Sequence, residues 1–478
     1  MSSILTDRSQ RSTDGIAALI PIALPMIISN IFDTVMMFVD RLYLAYVGKE
    51  HMAACMNAGL TSGTCTVFFA GVASYVSAMV ARSYGARQFS QCPRIVYQGM
   101  RFALFSYPLV LLIGLIAINS FTWAGHSNMQ IQLEETYFRW MLFGGTLLSL
   151  LRTPLASFFS GIGKTSVIMK ASFVSMLVNL LFNYLLIYGK FGFPRLEING
   201  AAIGTLLASL VLNIILAIAF QRETRSKEYR SVCPWRFDAA ISKTLLKFGI
   251  PTGMDYFLST SAFNLTIAVF HGYGADAAAA VTIVMNWDLL AFFPLQGVQV
   301  AITTLVGQNL GAKNIPAATR TAYSGCKLNL LYSLFILLIF LGMPSLLVSI
   351  FTPESGGIDY SQVKKLAVPM LRWAGFYLIF DSVYISFSGA LRGGGDTLWA
   401  MIIGLIFHWS LAINVLLTTY LFKFSLMGSW IVWVLSSVTG GTLIYWRFRT
   451  GKWKHIKLSS NENEAEEIDI ASQLQTSN

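Results

Sequence analysis

The stretch IAALIPIALPMIISNIFDTVMMFVDRLYLAYVG, residues 16–48, decides the fold class. From Ile16 to Phe32 nothing in it is charged, and beyond that only Asp33, Asp40 and Arg41 are. At 1.5 Å rise per residue, about 20 apolar residues cross the roughly 30 Å hydrocarbon core of a bilayer as a helix. Blocks of this length recur along the chain, separated by short polar breaks. A window of about 19 residues centres about twelve of them near Ile27, Phe69, Leu111, Gly145, Val178, Leu210, Ala262, Phe293, Ile336, Ile379, Leu405 and Val434. Only 12% of the 478 residues are charged, against about 25% in a soluble domain. The expectation is an all-α integral membrane protein.

The net charge of +11 sits asymmetrically on the breaks. Arg8, Arg87, Arg94, Lys164, the run Arg222–Arg236, Lys313, Arg320 and the segment Arg447–Lys457 fall on one side. The other side carries only Lys49, Lys190, Arg195, Lys364, Lys365 and Lys423. This is the bias that retains basic loops in the cytoplasm. It places both termini inside a plasma membrane (a bacterial inner membrane) and leaves no call for a nucleic-acid partner. The polar start MSSILTDRSQRSTDG and the long apolar run after it do not fit a cleaved signal peptide. Five cysteines (Cys55, Cys65, Cys92, Cys233, Cys326) show no paired spacing, so neither a disulfide framework nor a zinc site is expected.

The longest basic break follows the sixth span, and the two sides of it repeat. GVASYVSAMVARSYGA (71–86) matches GVQVAITTLVGQNLGA (297–312), YVGKEHMAA (46–54) lies over GYGADAAAA (272–280), and FSGIGKT (159–165) echoes FSGALRGGGDT (387–397). Six spans per half start both halves on the same side, so the repeats are parallel, the arrangement of transporters that rock about a central cavity. The expected plan is an N-terminus 1–15, a six-helix bundle 16–221, a linker 222–240, a second pseudo-symmetric bundle 241–448, and a tail 449–478. The end of that tail, SSNENEAEEIDIASQLQTSN, is polar and acidic and is expected to be disordered.

Ionisable groups inside spans demand a reason, since a central charge costs at least about 2.5–3.5 kcal/mol. Asp33, Asp40, Asp255, Asp288 and Asp381 qualify. An acid that is protonated on one side of the membrane and ionised on the other carries a proton, and with amide and carbonyl oxygens nearby it equally holds Na⁺. Asp33 and Asp40, seven apart, share a helix face. Arg41 points about 100° from Asp40 and is read as snorkelling outward rather than as its partner. Asp255 follows Pro251 by one turn, where freed carbonyls suit a cation or proton site. Asp288 has Asn286 and Trp287 beside it, and a structural hydrogen-bonded acid is an equal reading. Asn179 and Asn183, four apart, lie on one face, either binding an ion or joining helices. No P-loop, HExxH, GxSxG or dinucleotide fingerprint is present, so no enzyme and no cofactor are expected beyond Na⁺ as a candidate coupling ion.

Taken together, VDRLYLAYVG, VNLLFNYLLIYGKFGFPRLEINGAAIGT, GVQVAITTLVGQNLGA and FDSVYISFSGALRGGGDT resemble the multidrug and toxic compound extrusion (MATE) family, and within it the bacterial NorM-type branch. The resemblance implies two six-helix bundles facing a V-shaped cavity and Na⁺- or H⁺-coupled export of organic cations. It aligns Asp40 with the family's first-span acid, Asn179 and Asn183 with its fifth-span polar pair, and Asp381 with its tenth-span acid. Two positions depart from the pattern. Arg41 stands where many members carry Thr or Ser, and Ser259 stands where the seventh-span glutamate falls. Asp255, one turn before Ser259 on the same face, is read as taking over that carboxylate and pairing with Asp381. The coupling set is therefore Asp40, Asp255, Asp381, Asn179 and Asn183, with Asp33, Arg41, Ser259, Asn286 and Asp288 as candidates to line the cavity.

The leading expectation is a monomeric antiporter that exports amphipathic cations by alternating access. A flippase for a lipid-linked precursor or an exporter of an anionic metabolite would instead use basic residues such as Arg41, Arg139, Arg152 and Arg372. A non-transporting scaffold or receptor is the third reading, supported only by the missing glutamate.

Overall fold

The computed structural model describes residues 15–123, 127–229, 235–352 and 360–458. Among them there are no strands. Eleven helices are long and apolar enough to cross a membrane: α1 (Ile16–Ala45), α2 (Lys49–Gly85), α3 (Gln91–Thr122), α4 (Asn128–Gly161), α5 (Ser166–Tyr188), α6 (Ile198–Thr224), α8 (Ala275–Gly311), α9 (Ile315–Gly342), α10 (Ser361–Gly394), α11 (Thr397–Leu421) and α12 (Leu426–Arg449). The twelfth long helix, α7 (Ala239–His271), falls short of that apolarity. It carries Asp255 among several serines and threonines. Each expected centre lies in its own helix. The polar start, Cys233 and the acidic end from Ser459 lie outside the described residues.

The repeat is visible in backbone geometry. α2 ends with Arg87 at φ 59° and α8 with Lys313 at φ 58°. In each turn the next amide reaches back to close the helix, Gln88 N–H to Ser83 O at 2.9 Å and Asn314 N–H to Asn309 O at 2.8 Å. α4 and α10 end the same way on left-handed Gly163 and Gly395, with Lys164 N–H to Phe159 O and Asp396 N–H to Leu391 O both at 2.8 Å. This is the Schellman closure, in which a left-handed residue satisfies the last carbonyls of a helix.

The chain divides into two compact units. One holds Ile28–Gly253, Leu310–Lys313 and the segment from Ile456; the other holds the chain up to Ile27, Met254–Asn309 and Asn314–His455. The halves expected at 16–221 and 241–448 thus each exchange part of their first helix. α1 is divided after Ile27 and α7 after Gly253, each two residues beyond a helix-interior proline, Pro25 and Pro251. A proline removes one backbone hydrogen bond and bends the helix.

In the unit built on 28–253 the core is made by Leu44 of α1, Ala54, Ala58 and Phe69 of α2, Phe138, Leu142 and Leu150 of α4, and Ala201 and Ala202 of α6, all buried. The alanines among them let helix backbones approach closely, which is how helices associate in lipid without a hydrophobic driving force. Gly114 shows the limit: a Cβ there would overlap the Leu142 side chain.

Candidate functional site

α1 brings Asp40 to the interior of its unit, 6% exposed. Asn183 Nδ2 of α5 donates to Asp40 Oδ1, and Thr205 Oγ1 of α6 donates to Oδ2 at 3.1 Å. Asn179 Nδ2 reaches Thr205 Oγ1 at 3.4 Å. The approach of α5 to α6 depends on Gly204, where a Cβ would collide with the Asn183 amide. Tyr137 of α4, buried, lies close enough to Thr205, Cys55 and Asp40 to interact with them electrostatically. The side-chain oxygens of Asn179 and Asn183 are buried without a hydrogen-bond donor. No lysine, arginine or histidine forms an ion pair with Asp40 among the described residues. Arg41 acts on it only as a longer-range charge. The result is a buried carboxylate held by neutral donors, with two spare amide oxygens close by.

Asp33 has a different fate. It pairs with Arg152 of α4 at 2.7 Å, each side chain about 30% exposed. Arg139 pairs with Glu135 at 3.1 Å. Two of the basic residues considered for an anionic substrate therefore already have carboxylate partners.

In the other unit the carboxylates form two groups. Asp255, 2% exposed, accepts from Arg392 Nη2 of α10 at 2.5 Å. The guanidinium also donates through Nη1 to Tyr256 Oη at 2.9 Å and lies 4.6 Å from the Tyr256 ring centroid. His408 Nδ1 of α11 is 2.9 Å from Gly404 O, an acceptor, so Nδ1 carries the proton. Ser259 Oγ, 3.0 Å from Nδ1, can then accept from it and donate to Asp255 Oδ1 at 3.4 Å. Gly404 makes room for this group, since a Cβ there would lie 2.7 Å from Tyr384 Oη and clash with Asp255. The partner of Asp255 is thus Arg392, not Asp381 as the sequence suggests. Ser259 remains in the Asp255 group as a hydroxyl relay.

Asp381 and Asp288 make the second group. They are 2% and 8% exposed and near enough to feel each other's charge. Tyr377 lies in the field of both. Asp381 Oδ2 and Asp288 Oδ1 are buried with no hydrogen-bond partner, and no cationic side chain pairs with either among the described residues. Asn286, two residues before Asp288, is exposed.

Sequence reasoning missed Thr205, Tyr137, Arg392, Tyr256 and His408. Thr205 and Arg392 stand inside the quoted motifs INGAAIGT and FSGALRGGGDT, where their polarity was the available signal.

The MatE family model matches residues 25–185 and 251–418, more than half of the chain and parts of both repeats. A probable multidrug resistance protein NorM of Thermotoga maritima is 27% identical over 443 residues, covering 91% of this chain and 92% of that protein. A protein of the same name from Neisseria meningitidis is 25% identical over 430 residues, covering 89% and 92%. A crystal structure of MATE in complex with MaL6 superposes with a TM-score of 0.82 at 19% identity, over 94% of this chain and 100% of that one. At such identity the structural likeness speaks to the fold, but the family model engages the helices that carry Asp40, Asn183, Asp255 and Asp381. The chain belongs to the MatE family.

Proposed function

We propose that the chain is a multidrug exporter of the plasma membrane, exchanging amphipathic organic cations for H⁺ or Na⁺ by alternating access, with Asp40 as the principal exchange carboxylate. The relatives' designation as multidrug resistance proteins supports the substrate class. The single observation that carries the coupling role is the Asp40 site, a buried carboxylate that accepts from Asn183 and Thr205 and pairs with no cationic side chain among the described residues. An uncompensated charge in this setting costs several kcal/mol. Asp40 is therefore neutralised by something that comes and goes, a proton or a small hard cation. The spare oxygens of Asn179 and Asn183 suit a hard cation, which prefers oxygen ligands.

Asp381 with Asp288 forms the equivalent site of the other unit, two unpaired acids that cannot both ionise without a counter-cation. Asp255 is outside this set because Arg392 supplies its counter-charge permanently. The chain acts as a monomer with both termini cytoplasmic.

The test is reconstitution into liposomes with a fluorescent lipophilic cation, imposing a pH gradient and a Na⁺ gradient separately. One of them drives flux in the wild type, and Asp40→Asn reduces it at least about tenfold, the effect of roughly 1.4 kcal/mol. Absence of flux with either gradient for every cation tried refutes the reading. Undiminished coupling in Asp40→Asn refutes the assignment of the carboxylate.

A further inference from the structure

We propose that the segment Trp235–Phe237, with Arg101 of α3 and the first turns of α7, is a docking surface for the headgroup of an anionic phospholipid. All of it belongs to the unit built on residues 28–253. The surface serves the protein whatever substrate is transported.

Its depth in the membrane follows from the two helices that hold it. From Phe102 to Thr122 α3 carries no charge, a length that fills the roughly 30 Å hydrocarbon core. Arg101 therefore marks one edge of that core, and Lys247, the last lysine or arginine of α7, marks the same edge. The segment is pinned just outside it. Gln98 of α3, 2% exposed, donates through Nε2 to Arg236 O at 2.8 Å and accepts at Oε1 from Ser242 Oγ of α7 at 3.3 Å. Tyr97 packs on Trp235 with ring centroids 4.5 Å apart. Along their helices Tyr97 stands about 6 Å beyond Arg101, and Ser242 about 7.5 Å beyond Lys247. Headgroups fill roughly the outer 5–7 Å of each face of a bilayer, so both helices put the segment at headgroup depth.

Aromatic and basic groups coincide at that depth. Trp235 and Phe237 are 52% and 61% exposed, although the backbone between them is held. Arg101 donates to Trp235 O, and its guanidinium lies 5.9 Å from the Phe237 ring centroid. Arg236, Lys243 and Lys247 are exposed, and neither they nor Arg101 form an ion pair among the described residues. The stretches 95–122 and 235–254 contain these four bases and a single acid, Asp238. That acid is engaged in capping α7: its Oδ1 accepts from the N–H groups of Ala240 and Ile241 at 3.0 and 3.1 Å.

Charge and aromaticity together select the occupant. Each base near an anionic membrane surface favours binding about fivefold, and a phosphate is the negative group that lies at this depth. Exposed indole and phenyl rings belong at the membrane interface, where they meet the glycerol and upper acyl carbons of a lipid. A soluble phosphate offers nothing to those rings. A headgroup bound here bridges α3 and the start of α7, adding to the link already made through Gln98.

The experiment uses the full chain in nanodiscs of phosphatidylcholine with phosphatidylglycerol as the minor lipid. Benzoylphenylalanine replaces Phe237, and photo-adducts are identified by mass spectrometry. Phosphatidylglycerol adducts are expected to exceed that lipid's share of the bilayer by at least about fivefold. Arg236→Gln with Lys243→Gln, which spares the Arg101 contacts, brings them to the bilayer ratio. Salt tests the same point without a variant: raising ionic strength from about 0.1 to 1 M shortens the screening length from about 10 to 3 Å and lowers the enrichment several-fold. Inorganic phosphate added at constant ionic strength leaves the enrichment intact; if it abolishes it, a soluble anion is the occupant and the proposal fails. Adducts in the bilayer ratio from the start would reduce the surface to an aromatic anchor, and a lack of lipid adducts would take it out of the membrane. Either result overturns the proposal.

Discussion

Replacing Arg392 by methionine separates a buried ion pair from a mobile coupling site. The guanidinium lies 2.5 Å from Asp255, with the two side chains 10% and 2% exposed. Methionine keeps most of the side-chain volume and removes the charge, leaving Asp255 buried with Ser259 as its only other side-chain hydrogen-bond donor among the described residues. Removing one member of a buried pair costs about 3–5 kcal/mol, because the remaining charge loses its compensation. Asp255→Asn in the Arg392→Met background takes that charge away, and about 2–3 kcal/mol is expected to return.

The chain supplies its own reporter, since Cys326 of α9 is a buried free thiol in the same unit. Its labelling by a thiol-reactive dye during heating in detergent, read by mass spectrometry, follows unfolding of that unit. At about 2–4 °C per kcal/mol for a body of some 200 residues, Arg392→Met lowers the midpoint by roughly 6–20 °C, and the double variant regains about half. Equal losses in the single and double variants would show that Arg392 stabilises through packing alone. A neutral Arg392→Met would show that the pair carries no weight. Transport adds an independent reading: under the proposed function, in which Asp255 carries no exchanged ion, the double variant, once folded, is expected to keep gradient coupling.

Gly204→Ala forces a methyl group onto the Asn183 amide, with the Asn183 backbone nitrogen only 3.2 Å away. The loss of a hydrogen bond to a charged group, about 1.5–3 kcal/mol, predicts coupled efflux in liposomes weakened by roughly 10- to 150-fold. Arg447→Ala breaks a buried two-pronged contact to Asp396 at 2.7 and 3.1 Å and a stacking contact over Trp399 at 4.7 Å. A loss of about 3–5 kcal/mol is expected, measured as a lowered unfolding midpoint. Asp33→Asn removes a partly exposed pair and costs no more than about 1 kcal/mol at low salt; a larger fall in thermal stability would place Asp33 in a less hydrated setting than its exposure indicates.

The twelve helices were legible because lipid imposes one requirement on every span, internal satisfaction of the backbone over about 20 apolar residues. Repeats were legible for a related reason. Turns such as Gly163 and Gly395 need a left-handed residue, and that need writes itself into FSGIGKT and FSGALRGGGDT. α7 was recognisable as a span only because its apolar residues outnumber its hydroxyls, and it is the helix whose composition falls short.

The site was legible in part. Asp40 and Asn183 were named from residue type and spacing, and the structure brings them into direct hydrogen bonding. Asp255 was also named, but its partner was misassigned. Helical periodicity ranks residues by the face of their own helix and carries no information about which neighbour that face meets. Arg392, 137 positions away, and Thr205, 165 positions from Asp40, enter only through helix–helix packing.

The sequence by itself determined that this protein crosses a membrane, that it does so in two similar halves, and which carboxylates lie in the apolar interior. All of these follow from local composition and period, which act over one turn or one span. Only the tertiary structure decided which carboxylates are neutralised from within. Asp255 meets Arg392 and Asp33 meets Arg152, whereas Asp40 meets neutral amide and hydroxyl donors. The physical reason is that charge compensation in a low-dielectric interior depends on distances of a few ångströms between groups on different helices, and those distances exist only once the helices have packed.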